Sequence, residues 1–178
     1  MRLGGRTADA ISWNPKRGGQ PVKASYLETI ALIERLHRQC MDVVKNELDR
    51  QGVRDLNAVQ AMILFNLGES ELTVGELTQR GYYLGSNVSY NVKKMVEHDY
   101  LKQERSPHDK RATHLRCSDK GLQVCRQLDA LFEAHAGDLG STGLDTKNVA
   151  AANDALHRLE GFWAAARMGV RPSYTSAA

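Results

Sequence analysis

Hydroxyl, amide and basic side chains gather in one run, residues 85–116, GSNVSYNVKKMVEHDYLKQERSPHDKRATHLR. In its first half Val88, Val92, Met95 and Val96 recur at helical spacing, which gives a helix one apolar face. At about 100° per residue, Ser86, Tyr90, Lys93 and Lys94 fall on the opposite face, with Asn87 beside them. A helix with one buried face and one small, polar, basic face can enter a DNA major groove. Ser86, Asn87, Ser89 and Tyr90 would read bases or grip nearby phosphates, and Lys93 and Lys94 would hold phosphates.

The second half supplies a companion. Runs 100–105 (YLKQER) and 112–117 (ATHLRC) are strand-like, and residues 106–111 (SPHDKR) between them are a turn, because Pro107 and Asp109 are turn formers. Arg105, which closes the first strand, is a further DNA-contact candidate, and the tip carries Lys110, a further phosphate contact, and Arg111. A guanidinium on a narrow arm suits a minor groove, whose negative potential attracts it. Asp109 would repel phosphate, so it is assigned to bracing Arg111 or the turn.

The elements that must position these groups follow from pattern. Residues 25–51 form a first helix, with Ser25 and Glu28 as its capping box, an apolar stripe of Leu27, Ile30, Ile33, Leu36, Cys40, Val44 and Leu48, and Gly52 as its stop. At about 1.5 Å per residue it spans some 40 Å, too long for one small domain to cover. A second helix is expected over 55–67, closed by Gly68. Leu72-Thr73 makes a minimal strand, and Thr73 with Glu76 caps a helix over 74–80. That helix and the one after Gly85 pair as a helix-turn-helix. Ser118 and Gly121 open a fifth helix striped by Leu122, Cys125, Leu128 and Phe132, and Gly137, Gly140 and Gly143 break the chain. A final helix, from Asp145 or Thr146 to 168, carries Val149, Ala152, Leu156, Leu159, Trp163 and Ala166 in steps of three and four, an a/d seam.

The stretch LTVGELTQR followed by GSNVSYNVKKMVEHDYLKQERSPHDKRATHLRCSDKG, within residues 72–121, resembles the winged helix-turn-helix core of the MarR family of bacterial regulators. The Asp-Lys-Arg-Ala wing at 109–112 and the Ser-Asp-Lys-Gly that follows it carry the resemblance most specifically, and the run looks closest to the LdtR-like branch. Tyr82-Tyr83 departs from the smaller residues expected between the two helices, which affects the turn geometry. The resemblance implies a mainly α fold with a small β-hairpin wing and a helical dimerisation layer. It implies DNA binding by the helix after Gly85 and by the wing. It also implies a cleft, between the dimer helices and the winged domain, for a small-molecule effector. Val44, Met62, Phe65 and Tyr83 are the candidate lining, although each also reads as core.

The chain thus divides into a flexible basic arm (1–24), a dimerisation helix (25–51), the winged core (52–121), C-terminal helices completing the dimerisation layer (122–168) and a tail (169–178). The arm either brushes phosphates or is a disordered leader. The end helices either join two copies or pack on each other within one. A twofold dimer would set two reading helices about 34 Å apart and so select an inverted repeat.

Net charge is only +3, but residues 80–120 hold nine Lys/Arg against five Asp/Glu, a basic patch confined to the motif. No run of 18 apolar residues and no signal-peptide core is present, and three cysteines without metal spacing fit a reducing cytoplasm. His37 and Cys40, three apart, lack further metal ligands, so neither metal nor cofactor is expected. No nucleophile elbow, Walker loop or HExxH occurs, which argues against an enzyme. The expected function is a homodimeric DNA-binding regulator under effector control. Two alternatives stay open: a winged-helix protein–protein adaptor that touches no DNA, and a regulator that senses oxidants through Cys40, Cys117 or Cys125.

Overall fold

A computed structural model of the chain describes residues 21–79, 85–105 and 113–169. Helix α1 (Pro21–Arg50) is already helical at the first described residue. It therefore includes residues 21–24 of the segment assigned to the arm. Ser25 is an interior residue, not a cap, and its carbonyl accepts from Thr29 Oγ1 at 3.0 Å. The other end is as expected: Gly52, at φ +74, lets Val53 N–H reach Leu48 O at 2.9 Å and Gly52 N–H reach Asp49 O at 3.1 Å.

Helix α2 (Ala58–Leu67) starts three residues later than the pattern of apolar positions suggests. Its cap is Asn57: Gln60 N–H donates to Asn57 Oδ1 at 2.9 Å and Asn57 N–H to Gln60 Oε1 at 3.0 Å. An Asn-x-x-Gln box takes the place of the more familiar Ser/Thr-x-x-Glu, and Asp55 is thereby left outside the helix for another task. Strand β1 (Leu72–Thr73) leads into helix α3 (Val74–Gln79), where Thr73 and Glu76 form the expected reciprocal cap.

Helix α4 (Gly85–Glu97) is followed by strands β2 (Leu101–Arg105) and β3 (Thr113–Cys117). The sheet is antiparallel in the order β1-β3-β2, with Leu72 opposite Leu115 and Leu101 opposite Cys117. Helix α5 (Asp119–Asp138) is capped by Ser118, whose Oγ accepts from Gly121 N–H at 3.0 Å. Gly137 does not break it, because a helical glycine costs only about 1 kcal/mol. Gly140 sits in the 3-10 turn over Leu139–Thr142 that continues it, and the chain turns at Gly143, φ +82. Helix α6 (Thr146–Arg167) starts at an Asp145–Asn148 capping box.

One hydrophobic core joins the C-terminal half of α1 (Val44, Leu48) to α2, α3 (Leu77), α4, the sheet (Leu101, Leu115) and α5 (Val124, Leu128). Helix α6 contributes no buried residue, and Leu32 and Leu36, ahead of the packed end of α1, are exposed. The winged core and the end of α1 are therefore packed within one chain, while α6 and the earlier part of α1 leave apolar residues exposed. No described helix is long and apolar enough to cross a membrane.

Candidate nucleic-acid interface

Helix α4 is amphipathic in the sense the spacing predicts. Val88, Val92 and Met95 are buried, and Val96 is half-buried against the same core. On the other side Ser89 is exposed, Tyr90 is 63% exposed and the Lys93 side chain 77% exposed. Ser86 and Asn87 occupy the first turn, but their side chains lie outside the described residues. Asn91 is buried, a polar residue on the inner face that the periodicity did not single out.

The basic face carries its own counter-charge. Lys94 Nζ donates to Glu97 Oε2 at 2.7 Å, and Lys93 Nζ lies 3.9 Å from Glu97 Oε1. The Lys94 hydrogen bond holds the Glu97 carboxyl below the usual carboxylate range, and the same bond raises Lys94. Lys93 is thus the more available of the two lysines for a phosphate.

Strands β2 and β3 form the stem of the wing. Lys102 stands opposite Arg116 and Glu104 opposite His114, so these four share one face. Arg116 gives two hydrogen bonds to Glu104 Oε1, at 2.5 and 3.0 Å, and is engaged within the stem. His114 Nδ1 lies 3.3 Å from Glu71, which ties β3 to the segment before β1. Arg105 pairs opposite Thr113 along the backbone, and its side chain lies outside the described residues, as do Asp109, Lys110 and Arg111 altogether.

A second cluster braces the base of α4 and was not foreseen from sequence. Tyr100 Oη donates to Asp55 Oδ1 at 2.5 Å, and Lys120 Nζ donates to Asp55 Oδ2 at 3.0 Å while lying 3.9 Å above the Tyr100 ring. Partial burial raises the Asp55 carboxyl, but the hydrogen bonds from Tyr100 and Lys120 together bring it below its ordinary value. Burial, then the bond to Asp55, pushes the Tyr100 hydroxyl up. From sequence the Ser-Asp-Lys-Gly run reads as a helix start. Its lysine and glycine are spaced for these contacts as well.

Residues 54–112 match the MarR family. Over 155 residues, 86% of this chain and 80% of the relative, the sequence is 39% identical to the exopolysaccharide II synthesis transcriptional activator ExpG of Rhizobium meliloti (strain 1021). The chain belongs to the MarR family. Its fold is shared with Streptococcus pneumoniae FabT in complex with DNA (TM-score 0.64, 16% identity, 78% of this chain and 96% of that one). It is shared equally with a cysteine-to-serine mutant of MarR from E. coli complexed with operator DNA (TM-score 0.63, 16% identity, 79% and 99%). The family is one of transcriptional regulators, not enzymes. These matches carry the family and not a branch within it.

The effector candidates of this MarR-family chain are distributed unevenly. Val44 is fully buried, and Met62 and Phe65 pack against the core, Phe65 edge-on to Phe132 at 5.3 Å between centroids. Tyr83 lies outside the described residues. A cavity of about 430 Å³ between α1 and α5 is lined instead by Glu47, Arg50, Gln51, Arg126 and Leu131 among others. There Arg50 holds the buried Glu47 carboxylate through bonds of 2.7 and 2.8 Å. Arg50 and Gln51 follow Glu47 by three and four residues, a helical spacing present in the sequence, but nothing in that spacing announces that Glu47 is buried.

All three cysteines are free thiols. Cys117 and Cys125 both approach the Leu64 carbonyl, at 3.8 and 3.3 Å. The interaction between the two neighbouring thiols, followed by burial, pushes the Cys117 thiol up, and the same interaction lowers Cys125. Cys40 is half-buried on α1. Among the described residues no three His, Cys, Asp or Glu side chains stand close enough to hold a metal ion.

Proposed function

We propose that the protein is a cytoplasmic, homodimeric transcription regulator that binds an inverted repeat in double-stranded DNA and is modulated by a small-molecule effector. The observation that carries this reading is the two-sided build of α4: Val88, Val92 and Met95 are buried while Ser89, Tyr90 and Lys93 face outward beside the wing stem. Ser86, Asn87, Ser89 and Tyr90 would meet base edges or adjacent phosphates. Lys93, Lys94, Arg105 and Lys110 would hold phosphates, Arg111 would enter the minor groove and Asp109 would brace the wing. The DNA in the FabT and MarR complexes supports the same reading.

Residues 25–51 and 122–168 would form the dimerisation layer around the winged core, residues 52–121. The support is the exposed apolar surface of α1 and α6. An effector would act by shifting the separation of the two α4 helices, which requires different affinities for the two arrangements. Val44, Met62, Phe65 and Tyr83 remain the proposed effector lining.

The test is a gel-shift titration with genomic fragments over a range of salt. Lys93→Ala is expected to lower the salt slope by about one unit, and Lys94→Ala by less, because Lys94 must first leave Glu97. Arg111→Ala is expected to cost about 1–3 kcal/mol of binding. Glu97→Gln removes the counter-charge and is expected to tighten binding most at low salt, where screening is weakest. An adaptor without DNA binding would give no sequence-selected, salt-sensitive shift.

A further inference from the structure

Three segments distant in sequence meet at the end of the reading helix. The chain leaves α4 through Asp99, at φ +59, and Tyr100 N–H returns to Met95 O at 2.8 Å. This turn presents three successive carbonyl oxygens, and the first turn of α5 satisfies all of them. Lys120 Nζ donates to His98 O at 3.0 Å, Ser118 Oγ to Asp99 O at 2.6 Å and Ser118 N–H to Tyr100 O at 3.0 Å. A lysine ammonium beside the last carbonyls of a helix also meets the negative end of its dipole. Gly121 makes the approach possible, because a Cβ there would collide with Tyr100 O. The third segment, the corner between α1 and α2, joins through Asp55, which accepts from both Tyr100 Oη and Lys120 Nζ.

We propose that Asp55, Tyr100 and Lys120 are positioning residues for DNA recognition. They fasten the end of α4 and the base of the wing to α5, so that the reading helix follows α5 as one body. The inference rests on the DNA-binding reading above and deepens it. It goes beyond stability for a physical reason. Asp55 and Lys120 are 38% and 45% exposed, and an ion pair so open to water adds little to global stability. Its geometry is nevertheless specific, since one carboxylate receives a phenol and an ammonium from two different elements. Such a joint fixes an angle more than it holds a fold together. In a dimer joined through its end helices, the angle between α5 and α4 would set which half-site separation the protein accepts.

The experiment uses the full chain with Tyr100→Phe, Lys120→Met and both together, and Lys120→Arg as the conservative control. Selection is run on two pools, one from genomic fragments and one in which the selected half-sites are separated by varied spacers. The expected result is that the unmodified protein prefers one spacing. The double variant should accept spacings one base pair shorter and longer with nearly equal affinity and keep its affinity for an isolated half-site. Lys120→Arg should restore the preference. In the absence of DNA, amide exchange at residues 98–102 should rise about tenfold in the double variant while α2 is unchanged, the signature of a local opening. A uniform loss of affinity at every spacing, an unchanged spacing preference, or unchanged exchange at 98–102 would each overturn the proposal. If the unmodified protein selects no DNA, the DNA-binding reading fails and the positioning role with it. The exchange measurement then still reports separately whether the fastening exists.

Discussion

Gly121→Ala is expected to lower the melting temperature by roughly 5–20 °C. The methyl group would be driven into Tyr100 O and placed 3.3 Å from the Cys117 Cβ, and the nearest obstacle is backbone that no side-chain rotation can clear. Relief requires α5 to move away from Tyr100. That strains a carbonyl already accepting from Ser118 N–H at 3.0 Å. Overpacking of this kind costs about 1–3 kcal/mol, and a weakened buried hydrogen bond adds about 1–3 kcal/mol. For a chain of this size each kcal/mol corresponds to about 2–4 °C. The control is Gly137→Ala on the same helix, where an added Cβ meets nothing within 4 Å. There alanine should stabilise, by up to about 1 kcal/mol, because it lowers the entropy of the unfolded chain without a clash. A thermal melt of both variants decides the matter. Equal melting of Gly121→Ala and the unmodified protein would show that α5 can shift without cost.

The contrast between these two glycines shows where sequence reading works and where it stops. Local rules located most elements: the Thr73–Glu76 box, the Ser118 cap, the Gly52 stop and the apolar face of α4 are properties of residues within one turn of each other. The differences at helix starts are also local: Ser25 lies inside α1, and the Asn57–Gln60 box starts α2 three residues after Asp55. The outward face of α4 was legible for the same reason, since helical periodicity alone assigns Tyr90 and Lys93 to it, whereas the exposed Ser89 falls outside that assignment. What sequence could not supply was any contact across large separations. Asp55 to Lys120 spans 65 residues and Cys125 to Leu64 spans 61, and no pattern in the chain announces either. Nor did the charge count distinguish lysines and arginines by their availability. Arg116 is occupied by Glu104 and Lys94 by Glu97, so the basic patch that the composition describes is partly neutralised from within.

The remaining large effect concerns α6 and the first half of α1. A 22-residue helix that buries no residue cannot offset the cost of ordering its own backbone, about 1–2 kcal/mol per residue. Within one chain α6 does touch α1, where Trp163 Nε1 donates to Tyr26 Oη at 2.8 Å. The two helices nevertheless leave a groove of about 770 Å³ lined by Ile33, Leu36, Leu156, Leu159 and Trp163. Leu36 is 58% exposed there and Leu156 45% exposed. Under the proposed dimer a second copy fills this groove. Replacing both Leu36 and Leu156 by Asp would then bury two unpaired charges per protomer in the assembly, whereas a lone chain would carry them in water at a cost within about 0.5 kcal/mol each. The double variant is therefore expected to sediment as a folded monomer at micromolar concentration, with the circular dichroism of its winged core retained. It should also bind a full inverted repeat about 10²–10⁴-fold more weakly than the unmodified protein, because the second half-site no longer benefits from the effective concentration created by the first. Affinity for an isolated half-site should change little. A variant that stays dimeric, or an unmodified protein that is monomeric at the same concentration, would remove the dimer from the proposed function and leave the exposed seam of α6 to some other partner.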